Sequence, residues 1–126
     1  MPALPWVQRE PLDPDATYLA MASRLPLKSY SSIPGFVRDA YAIRRQLAGS
    51  EGLIGYTLDA KPLRKTFWTF SVWRQREHLD AFVGTLPHGR IMRRLKPLMN
   101  ESRFEFFSVP AQSLPMSWDQ IRAHLG

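Results

Sequence analysis

The run at residues 65–73, KTFWTFSVW, constrains the fold more than any other stretch. Successive side chains of a strand point to opposite faces. One face of this strand carries Phe67, Thr69, Ser71 and Trp73, and the other carries Trp68, Phe70 and Val72. Both faces are apolar, so both need cover, and the strand belongs inside a layered domain.

Three more segments read as strands: residues 17–27, with Pro26 marking the end, residues 52–60 and residues 102–110. Between the first two lies SSIPGFVRDAYAIRRQLAG, a helix with Phe36, Ala40, Ile43 and Leu47 on one face. Ser32 is its expected N-cap, with Pro34 in the first turn. Gly49 is expected in the left-handed position at its C-terminal end. Arg38, Arg44 and Arg45 point away from the stripe.

REHLDAFVG reads as a short helix with Leu79, Phe82 and Val83 inward and His78 exposed. Pro87 opens another, with His88, Ile91, Met92, Leu95 and Met99 on one face. In the tail, Ser117 and Gln120 form a capping-box pattern ahead of the stripe Trp118, Ile121 and Leu125. The order is β-α-β-β-α-β plus a tail helix, the ferredoxin-like α+β pattern. Helices on one face of the sheet leave the other face bare. That face is apolar too, and its natural cover is a second copy of the sheet, so a homodimer is expected. Residues 17–126 form one domain. Residues 1–16 carry Pro2, Pro5, Pro11 and Pro14 and read as an extended arm. Trp6 is expected to dock on its own domain or to clasp a partner.

Length and composition narrow the function. A chain of 126 residues suits one domain and can bury a core unaided. With no Cys there are no disulfides, thiolate metal sites or Cys nucleophiles. That fits a reducing cytoplasm. No apolar run approaches the roughly 20 residues of a membrane span, and the N-terminal residues lack signal-peptide order. A soluble, cytoplasmic protein without membrane partners is expected. The net charge is +6, with 13 Arg to 4 Lys. Such a surface can attract anions. The Arg residues are scattered, however, and no nucleic-acid motif is present, which argues against nucleic acid. There is no G-x-S-x-G, phosphate loop or dinucleotide fingerprint.

His88 is the residue most open to a chemical role. At the N-terminal end of an apolar stripe, the helix dipole and burial both disfavour imidazolium. Neutral imidazole is the form that ligates metals or acts as a base. The plainer alternative is a core-edge His bonded to a carbonyl. Zinc is not supported, because the three His lie on separate elements. A haem needs one axial His and an apolar pocket. Met92, Phe82 and Trp68 or Trp73 would line it, with Arg24 or an Arg after His88 for the propionates.

GLIGYTLDA, then FWTFSVWRQREHLDAFV, then PHGRIMRRL resembles the dimeric α+β barrel superfamily over residues 17–110. The likeness is to antibiotic-biosynthesis-monooxygenase-like and spheroidene-monooxygenase-like proteins. It implies a homodimeric barrel holding a small aromatic or apolar molecule, and a monooxygenase-like oxidoreductase. Relatives include cofactor-free and haem-linked enzymes and proteins with no known activity, so the implied cofactor is haem or none. In the haem-degrading branch a His near the second helical region ligates iron, and His88 and Phe82 match its His and aromatic positions. Ala20, Met21 and Ala22 stand where that branch has an Asn. In the cofactor-free branch the protein stabilises a phenol or quinol anion. Tyr18, Arg24, Tyr56, Ser71, Trp73 and His88 are then the candidate lining groups, with His88 and Arg24 as the polar catalytic pair. Alternation does not decide which strand face lines the pocket.

Overall fold

The computed structural model describes residues 6–84 and 88–125, with all their side chains except those of Pro62 and His88. Five antiparallel strands form one sheet: β1 (Val7–Gln8), β2 (Thr17–Pro26), β3 (Leu53–Lys61), β4 (Thr66–Trp73) and β5 (Arg103–Pro110). Their order is β1-β3-β4-β2-β5. The four long strands follow ferredoxin-like order, and β1 extends the edge by pairing Val7 with Tyr56 and Gln8 with Gly55. The strand that is apolar on both sides, β4, lies in the middle, where both of its faces are buried.

Three helices cover one face: α1 (Ile33–Ala48), α2 (Arg76–Gly84) and α3 (His88–Leu95). Phe36 of α1 packs with Phe67, and Ile91 and Leu95 of α3 join the same cluster. Leu79 and Phe82 of α2 pack with Trp73 and Tyr56. The α1 stripe is as expected, and so is the place where it starts, with Ser32 at the N-cap and Pro34 in the first turn. A 3-10 turn at Tyr30–Ser32 precedes it, and Ser29 caps that turn by accepting from the Ser31 N–H at 3.2 Å. Ser32 therefore holds the N-cap position with helical backbone angles, and its side chain makes no capping bond. Gly49 ends α1 at φ −105°, outside the left-handed region. Val83 is exposed rather than inward, because Leu79 and Phe82 already fill the inward side of the short α2. Pro97 stops α3, and a 3-10 turn at Lys96–Leu98 brings Met99 into the core by another route.

The opposite face is covered by the chain itself. Tyr18, Ala20, Ala22, Trp68, Phe70 and Val72 are buried under α4 (Trp118–Leu125) and residues 6–16. Ile121 and Leu125 are the buried residues of α4. The capping box is present: the Gln120 N–H donates to Ser117 Oγ at 3.2 Å, and the Ser117 N–H to Gln120 Oε1 at 3.0 Å. Arg122 is ion-paired with Asp59 and lies over the rings of Trp68 and Trp118, its guanidinium carbon 4.7 and 5.4 Å from their centroids.

In the arm, the indole of Trp6 rests on Gly55, where an added Cβ would collide with it. The Asp13 N–H donates to the Tyr18 hydroxyl at 3.0 Å. Each large apolar side chain buried this way contributes about 1.5–3 kcal/mol. The described arm therefore docks on its own sheet. The apolar second face is satisfied within one chain and does not by itself call for a partner copy.

Candidate functional site

The space between the sheet and the helices is not filled. A cavity of about 150 Å³ lies there. Met21, Ser23, Tyr56, Leu58, Thr69 and Ser71 contribute to its floor, and Phe36, Ala40, Ile43 and Leu47 of α1 to its roof. Phe82 of α2, Met92 and Leu95 of α3, and Phe104 of β5 line its sides. A cavity of this size in an apolar lining holds one benzene ring.

The floor is where the polarity is. Small hydroxyl side chains in the middle of β2 and β4 leave room that larger residues would fill. Ser23 and Thr69 face each other across the β2–β4 pair and hydrogen-bond through their hydroxyls. Ser71 stands opposite Tyr56 across the β3–β4 pair. The Trp73 Nε1–H donates to Ser71 Oγ at 2.9 Å in a buried bond. That bond occupies an oxygen lone pair and leaves the Ser71 proton free to be donated. Arg44 Nε–H points at the Tyr56 hydroxyl at a long 3.5 Å. One end of the cavity thus brings together two hydroxyl donors and a guanidinium. Asp39, which also lines the cavity, is buried and paired with Arg94, joining α1 to α3.

Among the residues singled out in the sequence, Tyr56, Ser71, Phe82 and Met92 line this cavity. Trp73 is buried on the same face of the sheet and acts through its bond to Ser71. Tyr18 and Trp68 are buried on the other face. Arg24 pairs directly with Trp68 across β2 and β4, so it shares that face and lies away from the cavity. His88 is the first residue of α3, and its side chain lies outside what the structure describes. Sequence reasoning missed Ser23, Thr69 and Arg44. Two hydroxyls at matching positions of neighbouring strands were the available signal for the first two. His78 is half-buried rather than exposed, packed over Gly52, and its buried Nδ1 has no hydrogen-bond partner among the described residues.

The side chain of His88, the residue expected to ligate a haem, lies outside the described residues. Among the described residues no cluster of three His, Cys, Asp or Glu could hold a metal ion. No described helix is long and apolar enough to cross a membrane.

Neither a protein-family model nor a curated protein sequence matches the chain. Solved structures do. A mutant of SnoaB, a cofactor-independent oxygenase from Streptomyces nogalater, superposes with a TM-score of 0.63 at 15% identity, over 78% of this chain and 97% of that one. An antibiotic biosynthesis monooxygenase matches with a TM-score of 0.64 at 13% identity, over 71% of this chain and 95% of its own. A longer Fusobacterium nucleatum chain named for monooxygenase activity matches with a TM-score of 0.67 at 12% identity, over 79% of this chain but only 45% of its own. The chain has the fold of the antibiotic-biosynthesis-monooxygenase-like α+β barrel proteins. At these identities the likeness concerns the fold of the sheet and its helices. In this fold the cavity described above lies between the sheet and the helical layer.

Proposed function

We propose that the chain is a monooxygenase-type oxidoreductase that takes a single-ring phenol or quinol into the cavity under α1. The observation that carries this is an apolar, ring-sized space with its hydrogen-bond donors gathered at one end. The apolar walls hold the ring and keep water out. The Ser71 and Tyr56 hydroxyls, with the Arg44 guanidinium, stabilise a developing phenolate oxygen and so ease loss of its proton. An electron-rich phenolate reduces dioxygen directly. One oxygen atom enters the ring and the other leaves as water, as a quinol becomes a hydroxyquinone. His88 is kept as the candidate base on the strength of its position at the start of α3. Neighbouring folds named as an oxygenase and monooxygenases support the reaction class.

The test is oxygen uptake with a panel of simple quinols and catechols, compared with autoxidation. Uptake above background is expected, falling at least about tenfold in Ser71→Ala and Tyr56→Phe, as removal of an oxyanion donor does. His88→Ala tests the base separately. Ring binding with no uptake above background would make the protein a non-catalytic binder and overturn the oxidoreductase reading.

A further inference from the structure

The cavity does not end at its hydroxyl wall. A shallow groove lined by Tyr41, Arg44, Arg45, Ala48 and Tyr56 lies beside it. Tyr41, Arg44 and Tyr56 line both, so the two spaces share a wall at the cavity mouth. The inner compartment is apolar and the outer one is cationic. Neither Arg44 nor Arg45 pairs with a carboxylate among the described residues. A third guanidinium reaches the rim, because Arg9 Nη2 donates to the Ala48 carbonyl at 2.6 Å.

Arginines in the last turn of a helix commonly offset the negative end of its dipole. Two observations go further than that role here. Arg9 already satisfies the terminal Ala48 carbonyl, and Arg44 turns across the mouth to Tyr56 instead. The wider field points the same way. Helix α1 and residues 88–98 hold seven Lys and Arg against one Asp, which equals the whole net charge of +6. Basic and acidic residues balance over the rest of the chain. The one acid in those two segments, Asp39, is buried and ion-paired, and on neighbouring α2 Asp80 is paired with Arg76. The groove therefore opens on the side of the molecule that attracts anions.

We infer that the ligand of this site is an amphiphilic carboxylate: an aromatic ring for the cavity, joined by a short spacer to a carboxylate held in the groove by Arg44 and Arg45. Guanidinium groups bind carboxylates through paired, charge-assisted N–H donors, and their orientation in the groove would set how the ring enters. The inference rests on the cavity being a ligand site, as proposed above, and adds the charge and shape of what binds.

The test is calorimetric titration of the full chain with the series benzoate, phenylacetate, 3-phenylpropanoate and 4-phenylbutanoate, and with neutral 3-phenyl-1-propanol. At least one of the longer acids is expected to bind once per chain, about tenfold more tightly than the alcohol. That advantage should shrink at about 0.5 M salt, where exposed charges are screened. Arg45→Ala should remove most of it while leaving the alcohol unchanged, and Arg45→Lys should restore part. Equal affinity for acid and alcohol, or equal losses for both in Arg45→Ala, overturns the inference and leaves the cavity reading intact. Binding of neither compound overturns both.

Discussion

Replacing Ile121 by Ala tests whether α4 belongs to the core. Ile121 is 0% exposed and packs among Tyr18, Trp68, Phe70 and Val72 on the sheet face away from α1. Truncating a buried Ile to Ala costs about 2–5 kcal/mol, the size depending on how far the surroundings collapse into the void. Helix α4 is eight residues long and packs against β2 and β5, so it can settle inward more easily than a central strand. A loss of about 2–3 kcal/mol is expected, the lower part of that range. Against an ordinary stability of about 5–15 kcal/mol this is large.

Equilibrium urea unfolding reads it. Trp6, Trp68 and Trp118 all pack in this region, so tryptophan fluorescence reports its loss. The midpoint should fall with little change in slope. Ala123→Ser, on the exposed side of α4, should stay within about 0.5 kcal/mol of the parent. A loss below about 0.5 kcal/mol for Ile121→Ala would refute the reasoning, because α4 would then not be docked in solution. If a second copy covered the face instead, the midpoint would rise with protein concentration.

Gly52 has φ +80°, and a Cβ there would run into the His78 ring. Gly52→Ala should therefore cost at least about 2 kcal/mol in thermal or urea unfolding, whereas Gly35→Ala, with open space inside α1, should gain about 0.5–1 kcal/mol. Asp39→Asn removes the charge that joins α1 to α3. Because the Arg94 side chain is 45% exposed, a loss of about 1–2 kcal/mol is expected, and in an Arg94→Gln background most of it should vanish. Trp73→Phe deprives Ser71 of its indole donor, and about 1 kcal/mol of stability should go with it; a neutral result would mean the bond does not hold Ser71 in place. Gly55→Ala should push Trp6 off the sheet, read as a red shift and exposure of its fluorescence to quenchers.

Much of this architecture is legible in local pattern. The strand at 66–73 alternates between two apolar sets, and the structure buries both. The Ser117–Gln120 capping box forms as its spacing implies, because both of its bonds are local. What local pattern does not carry is which distant segment covers which face. The apolar second face reads, in sequence, as needing another molecule, yet residues 6–16 and 118–125 cover it from opposite ends of the chain. The side on which Arg24 lies is undecidable from a strand that is apolar on both faces, and only its pairing with Trp68 settles it. The cavity is a gap between residues far apart in the chain, and a gap leaves no mark in composition. Its one trace is the row of small hydroxyl residues, Ser23, Thr69 and Ser71, on a face of β2 and β4 that otherwise carries Leu19, Met21, Leu25, Phe67 and Trp73.

The cover provided by α4 has a consequence for synthesis. The helical side of the sheet can close once β5 is in place, but the side bearing Trp68, Phe70 and Val72 then has only residues 6–16 over it. It waits for residues 118–125, which leave the ribosome last of all the elements described. Until then a nascent chain displays a broad aromatic surface of the kind that chaperones bind and that aggregates when they are scarce. A stop codon ahead of Trp118 would make that interval permanent, turning a folding delay into an insoluble product.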